Sequence, residues 1–114
     1  MREEELFDIL IEYLRNQGYD ILEQHRGHER GIDILATRNS RRLYVQLKGD
    51  ASAPDVDFGT VLYQIMRYMT DGLDEYAIGI SELYRDKAKQ CEYPIKKLGI
   101  KLYLITESGV DLLF

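Results

Sequence analysis

Apolar residues near the start of the chain recur at intervals of three and four positions. Five of them form one stripe: Leu6, Phe7, Leu10, Ile11 and Leu14. This spacing is typical of a helix that packs one face against a core, with charged residues on its other faces. The pattern predicts a first helix over residues 3–16, which Gly18 ends.

Short runs rich in branched and aromatic residues follow this helix and predict strands. The predicted elements after the first helix are strands at 19–24, 31–37 and 42–48, a helix at 56–69, a strand at 76–80, a mainly helical segment at 82–98 that Pro94 interrupts, a strand at 100–106 and a short extension at 110–114. The turn at Asn39 and Ser40 joins the second and third strands into a hairpin. A hairpin that leads into helix-connected strands predicts an α/β fold, with helices flanking a mixed sheet.

The length and composition of the chain indicate how many domains it forms and which classes of protein it does not belong to. A chain of 114 residues with 45% hydrophobic and 31% charged residues is expected to form one domain over 1–114. No apolar run approaches the roughly 20 residues of a membrane span, and the first residues lack a secretory signal, so we expect a cytoplasmic protein. Cys91 is the sole cysteine, which excludes an intrachain disulfide and a Cys-x-x-Cys zinc or redox site.

The charge is unevenly distributed along the chain. A net charge of -5 argues against binding nucleic acid through bulk electrostatics. Residues 26–48 are nevertheless locally basic, with the cations Arg26, Arg30, Arg38, Arg41, Arg42 and Lys48. This segment is either a DNA-facing surface or simply a solvated hairpin.

Three polar residues of the hairpin point to chemistry. Side chains alternate along a strand, so Gln46 and Lys48 share a face, and the turn brings Asp33 beside them. The Asp33 carboxylate, the Gln46 amide oxygen and a main-chain carbonyl such as that of Leu47 suit Mg²⁺, with Lys48 orienting a water molecule and stabilising charge on an attacked phosphate. A cross-strand salt bridge between Asp33 and Lys48 explains the same spacing, and the spacing alone leaves both interpretations open.

The order helix, Gly-Tyr, strand, Gly-Ile-Asp-Ile, hairpin and Val-Gln-Leu-Lys-Gly over roughly residues 3 to 50 resembles the PD-(D/E)xK superfamily, which has the restriction-endonuclease-like fold. Its Gly-Ile-Asp-Ile and Gln-x-Lys forms are most similar to Mrr-type restriction nucleases, and its size is similar to that of archaeal Holliday junction resolvases. The resemblance implies a DNA endonuclease, restriction-type or junction-resolving, that depends on Mg²⁺ or Mn²⁺. It also implies that Asp33, Gln46 and Lys48 are catalytic. Because duplex cleavage favours two-fold symmetry, we expect a homodimer.

The chain departs from the family at two positions. The family usually has Glu or Asp where this chain has Gln46, although Mrr-type members tolerate Gln. It often has a Glu on the first helix where this chain has Phe7. Asp8, the nearest acid, is a candidate outer metal ligand, or else an ordinary exposed acid. The alternative function is therefore a catalytically inactive module of the same fold that binds nucleic acid or a partner protein. A third interpretation is a purely structural α/β interaction domain.

Further candidates lie on the second helix and on the loop before Gly31. Gln64 and Tyr68 are four residues apart and resemble the Gln-x-x-x-Tyr motif of RecB-type nucleases, which implies contact with DNA. In the loop, Arg26 and Arg30 are candidate nucleic-acid contacts. His25 and His28 flank Gly27 there and suit either a metal or general-base role or a simple exposed position.

Overall fold

Four α-helices and six β-strands make up the part of the chain that the computed structural model describes, residues 1–27, 30–70 and 72–114. The helices are α1 (Glu3–Asn16), α2 (Pro54–Met66), α3 (Arg85–Gln90) and α4 (Glu92–Lys97). The strands are β1 (Asp20–Gln24), β2 (Ile34–Arg38), β3 (Arg41–Lys48), β4 (Glu75–Ile80), β5 (Ile100–Thr106) and β6 (Gly109–Leu112). Within these residues, no helix has the length and apolar character that crossing a membrane requires.

The strands form one six-stranded sheet in the order β1-β2-β3-β4-β5-β6. The pairs β1/β2, β2/β3 and β5/β6 are antiparallel, whereas β3/β4 and β4/β5 are parallel. The parallel strands are joined by helices because a parallel connection must cross the length of the sheet. The prediction of a mixed sheet flanked by helices is therefore confirmed.

Two hydrophobic cores lie on opposite faces of this sheet. The first packs the apolar stripe of α1 against inward-facing residues that include Ile34, Val45, Leu47 and Ile105. The second packs α2, α3 and α4 against the other face, where Leu35, Ile78, Ile80 and Leu102 lie. Because neighbouring residues of β3 face opposite layers, Val45 and Leu47 belong to the α1 core, and the intervening Gln46 faces the α2 side.

The element boundaries differ from the sequence prediction at several ends. β2 begins at Ile34, so Asp33 lies immediately before the strand rather than within it. The helix predicted over 56–69 begins at Pro54 and ends at Met66. After Met66 the hydrogen bonds join residues three apart, as in a 3-10 turn: the Tyr68 N–H donates to the Ile65 oxygen at 3.0 Å. The segment predicted as mainly helical over 82–98 is a 3-10 turn at Glu82–Tyr84 and two short helices that meet at Cys91.

A close approach of two backbones joins the start of α1 to the end of β3. A Cβ atom at Gly49 would lie 2.6 Å from the nitrogen of Glu3 and 2.8 Å from the oxygen of Met1. Only glycine fits this contact without displacing the backbone. Gly49 therefore places the first residues of α1 beside Lys48.

Candidate active site

A polar cleft of about 540 Å³ lies on the α2 side of β3. Its walls are formed by Glu3, Gly27, Arg30, Gly31, Asp33, Gln46, Leu47, Lys48, Gln64 and Arg67. The structure thus brings together the three hairpin residues that the sequence singled out. Since the side chain of Leu47 packs in the α1 core, its main chain is the part that faces this cleft.

The Asp33 carboxylate is held at the end of the hairpin by main-chain hydrogen bonds. Its Oδ2 atom accepts from the Leu47 N–H at 2.8 Å, and its own carbonyl oxygen accepts from the His25 N–H at 2.9 Å. Burial raises the pKa of this carboxyl to about 6, and the nearby negative charge of Glu3 acts in the same direction, although the Leu47 bond and Lys48 oppose it. Asp33 is therefore a carboxylate held in a costly charged form near neutral pH.

The Gln46 side chain is buried and faces Asp33 directly. One of its amide atoms lies 2.7 Å from Asp33 Oδ2 and 3.3 Å from Oδ1. If that atom is the nitrogen, the amide donates to the carboxylate. If it is the oxygen, the amide accepts from the Asp33 N–H at 3.3 Å and two oxygens face each other, an arrangement that requires a proton or a cation. A half turn of the amide interconverts these two states.

Lys48 is positioned by two carboxylates other than Asp33. Its ammonium nitrogen lies 3.7 Å from Glu3 Oε1 and 4.0 Å from Asp57 Oδ1. Among the described residues, no ion pair joins Lys48 to Asp33 within 4.0 Å. The cross-strand salt bridge that explained the sequence spacing equally well is therefore not formed, and both groups remain directed toward the cleft.

The first helix contributes Glu3 to the cleft rather than Asp8. The Asp8 carboxylate is 70% exposed and accepts from Arg26 Nη1 at 2.9 Å, while Glu4 accepts from the same atom at 2.6 Å. Neither Asp8 nor Arg26 lines the cleft. Sequence reasoning missed Glu3 because its position depends on the contact with Gly49, which no local pattern reveals.

The second-helix candidates separate in space. Gln64 lines the cleft, as does Arg30 from the loop, but Tyr68 lies outside the cleft lining and stacks on Tyr44 with ring centroids 5.6 Å apart. Because α2 ends at Met66, Tyr68 no longer continues the helical face that carries Gln64. Arg67 also lines the cleft, and sequence reasoning gave it no role.

Of the two candidate histidines, His25 belongs to the described residues. His25 lies 3.0 Å from Glu23 Oε1, and His28 falls outside the described residues. The ring of His25 also packs on Gly31, where a Cβ atom would lie 3.1 Å from His25 Nε2. His25 therefore supports the backbone turn that leads into Asp33.

The oxygen donors of the cleft suit a hard divalent cation. They are the Asp33 carboxylate, the Gln46 amide oxygen, the main-chain carbonyl of Leu47 and the Glu3 carboxylate. One oxygen of Glu3 lies 3.7 Å from the Lys48 ammonium nitrogen. Over residues 1–27, 30–70 and 72–114, no three His, Cys, Asp or Glu side chains gather into a metal site by themselves. Because Mg²⁺ is commonly held by one or two carboxylates with water completing its shell, this mixed donor set fits Mg²⁺.

Comparison with protein families gives a match over most of the chain. Residues 1–90 match the Mrr catalytic-domain model, described as a restriction endonuclease. The matched region contains all the cleft residues named above. A search of the curated proteins gave no match.

Solved structures of low sequence identity share the fold. An fdxN element excision controlling factor protein from Anabaena variabilis has a TM-score of 0.66 at 15% identity, covering 96% of this chain and 98% of that one. An XisH family protein from Nostoc punctiforme has a TM-score of 0.67 at 14% identity, with 100% of both chains covered. Pyrococcus furiosus SfsA, solved in complex with Ca²⁺, has a TM-score of 0.50 at 14% identity, covering 97% of this chain and 59% of that one.

Proposed function

Because the chain belongs to the Mrr catalytic-domain family of restriction endonucleases, we propose that it is a metal-dependent DNA endonuclease whose active site is the cleft around Asp33. The observation that carries this proposal is the pairing of the Asp33 carboxylate with the Gln46 amide, 2.7 Å apart, in a cleft that also holds Lys48. A buried carboxylate with a raised pKa is unfavourable for folding and is typical of a functional site.

Asp33, Gln46 and the main chain of Leu47 would hold Mg²⁺ or Mn²⁺, with Glu3 at the rim in the place that sequence reasoning gave to Asp8. The bound ion would supply Lewis-acid stabilisation of the attacked phosphate. Asp33 must be deprotonated for this role, and the Leu47 N–H bond at 2.8 Å favours the deprotonated form.

Lys48 supplies the positive charge that the reaction needs. Hydrolysis of a phosphodiester adds a water oxygen to phosphorus and places additional negative charge on the phosphate oxygens and on the leaving oxygen. An ammonium group whose side chain is 25% exposed stabilises this charge more strongly than a fully solvated one. Glu3 and Asp57 hold Lys48 in place, with oxygens 3.7 Å and 4.0 Å from its ammonium nitrogen.

We assign direct contact with DNA to Gln64 and Arg30, which line the cleft. Arg26 is paired with Glu4 and Asp8, and Tyr68 is stacked on Tyr44, so we assign these two residues to shaping the surroundings of the cleft. Because one small site cuts one strand, cutting both strands of a duplex favours a homodimer. Sedimentation-equilibrium or light-scattering measurements of the mass in solution would test this.

The test is cleavage of supercoiled plasmid, of linear duplex and single-stranded oligonucleotides, and of a four-way junction, with Mg²⁺ or Mn²⁺. We expect cleavage that chelation stops and that Asp33→Asn or Lys48→Met lowers by a factor of about 100 or more. Asp20→Asn and Lys89→Met change exposed residues outside the cleft and should leave the rate unchanged. Absence of cleavage on every substrate, or full activity of Asp33→Asn, would contradict the proposal.

A second function is favoured by one specific observation, the Gln46 orientation in which its amide nitrogen donates to Asp33 Oδ2 at 2.7 Å. This hydrogen bond satisfies the carboxylate without a cation. In that case the domain would be an inactive module that binds nucleic acid or a partner protein. DNA binding by the wild type that is unaffected by Mg²⁺, together with no cleavage, would favour this second function.

A further inference from the structure

Two arginines of the cleft differ from most arginines of the protein in lacking a carboxylate partner. Five arginines have a carboxylate oxygen within 4.0 Å: Arg2, Arg26, Arg41, Arg42 and Arg85. Arg38 donates to the Gln17 carbonyl oxygen at 2.8 Å. In the described part of the chain, Arg15, Arg30 and Arg67 form no ion pair of this kind, and of these three only Arg30 and Arg67 line the cleft.

The guanidinium of Arg67 is nevertheless held in position. Its central carbon lies 5.4 Å from the ring centroid of Tyr63, which stands one helical turn earlier on α2. Stacking on a ring uses the flat face of the guanidinium and leaves its N–H groups at the edge available as hydrogen-bond donors. Arg67 is thus a cation that lies over the Tyr63 ring and, among the described residues, has no carboxylate to satisfy its donors.

Arg30 reaches the same cleft from a different segment, the loop before β2, so two separate elements each supply a guanidinium. Among the described residues of the cleft no carboxylate is left to balance these two charges, because Glu3 is paired with Lys48 and Asp33 is the expected metal ligand. A site with surplus guanidinium groups is complementary to an anion that accepts bidentate hydrogen bonds, and phosphate is the anion with this geometry in nucleic acids.

We propose that Arg67 and Arg30 clamp one backbone phosphodiester of a nucleic-acid strand that lies in the cleft and thereby set the register of that strand against Asp33 and Lys48. The ligand class rests on the proposed function, but the clamp is a property of binding and does not require hydrolysis. Arg67 is therefore a positioning residue, and it should act on affinity and on its dependence on salt.

The experiment measures the affinity of labelled single-stranded and duplex DNA by fluorescence anisotropy, in EDTA and over a series of salt concentrations. Arg67→Ala should weaken binding about tenfold, since a charged hydrogen-bonded pair contributes at least that factor. The slope of log affinity against log salt should fall by about one, as expected for one lost phosphate contact. Arg67→Lys should keep the slope and recover only part of the affinity, because lysine cannot bind in a bidentate manner.

Arg15→Ala is the matched control, because Arg15 is exposed at the end of α1 and lies outside the cleft. It should change neither affinity nor slope. Oligonucleotides with a single neutral methylphosphonate give an independent test that leaves the protein fold untouched. Wild-type affinity should fall at one backbone position, and Arg67→Ala should be insensitive to the same replacement.

The outcomes separate the clamp from the nuclease proposal. If wild-type protein binds DNA and Arg67→Ala behaves like Arg15→Ala, the clamp is refuted and the proposed function stands. If no methylphosphonate position is coupled to Arg67, the clamp is refuted as well. If wild-type protein binds neither form of DNA in EDTA, the clamp is refuted, and the cleavage assay with Mg²⁺ or Mn²⁺ decides the proposed function separately.

Discussion

The carboxylate of Asp33 and the amide of Gln46 face each other at hydrogen-bond distance, with 2.7 Å between Asp33 Oδ2 and the nearer amide atom. Gln46 lies on β3, and Asp33 lies immediately before β2, the other strand of the hairpin. The Leu47 N–H also donates to the Asp33 carboxylate, at 2.8 Å. Either the amide nitrogen donates to Asp33, or its oxygen and Asp33 share a proton or a cation. The ionisation of Asp33 therefore controls the state of the whole site.

Metal affinity should depend on pH through Asp33. Burial raises the pKa of its carboxyl to about 6, so below that pH a proton must leave before the carboxylate can bind an ion. We expect the association constant for Mn²⁺ to fall about tenfold for each pH unit below about 6 and to level off above it. Calorimetry in two buffers of different ionisation enthalpy measures the proton release directly; proton release that is the same well above and well below pH 6 would contradict this assignment.

Asp33 should also lower the stability of the metal-free protein at neutral pH. Its folded pKa is raised from 3.8 to about 6, so the folded state binds this proton more tightly than the unfolded state. The free energy of unfolding therefore falls as pH rises through this window, and the loss is complete above about 6. Asp33→Asn should raise the free energy of unfolding by about 3 kcal/mol above that window and have little effect below it.

Urea unfolding at several pH values measures this difference in the presence of EDTA. Asp20→Asn, at an exposed position of β1, is the control and should show no comparable gain. A variant Asp33→Asn that is less stable than wild type across the whole pH range would mean that the charged carboxylate stabilises the fold.

Gln46→Glu should strengthen the metal site by placing a second carboxylate 2.7 Å from Asp33. We expect Mg²⁺ and Mn²⁺ to bind about tenfold more tightly, because affinity for these ions rises with the charge of the ligands. Without metal the two carboxylates repel each other, so the variant should be less stable than wild type above pH of about 6. Gln64→Glu adds the same charge elsewhere in the cleft; if it tightens binding equally, general electrostatics rather than ligation explains the gain.

Gly49→Ala should displace the start of α1, which carries Glu3, from the end of β3. The added Cβ atom would lie 2.6 Å from the Glu3 nitrogen, which forces the start of α1 away and Glu3 away from Lys48. We expect a loss of about 1–3 kcal/mol in unfolding free energy and lower cleavage activity. Gly59→Ala is the matched control, since nothing lies within 4 Å of its added atom and α2 should gain about 0.5–1 kcal/mol. Thermal unfolding of both variants gives the comparison, and equal stability of the two would refute the tight packing at Gly49.

The strands and the hairpin were predictable because their signals are local. Alternation along β3 places Gln46 and Lys48 on one face, and the turn at Asn39 and Ser40 sets the register that brings Asp33 opposite. Both turn residues have positive φ angles, 54° and 66°, which suits the tight two-residue hairpin that the sequence predicts. Three neighbouring residues of the cleft could thus be found without any long-range information.

The remaining cleft residues depend on tertiary packing. Glu3 reaches Lys48 only because Gly49 lets the backbone of α1 come close. Arg67, the residue directly after α2, lines the cleft because of where that helix packs on the sheet. The four-residue spacing of Gln64 and Tyr68 assumes that the helix continues, whereas the last turn tightens and Tyr68 stacks on Tyr44 instead. Spacing rules hold inside an element and fail at its end, where packing decides the conformation.

The most direct test of the metal site is a crystal structure of the protein soaked in Mn²⁺, with anomalous scattering recorded above the manganese edge. We expect an anomalous peak bonded to a carboxylate oxygen of Asp33 and to the amide oxygen of Gln46, and Asp33→Asn crystals should lack it. No peak in the wild-type cleft, with the Gln46 nitrogen donating to Asp33, would contradict the account.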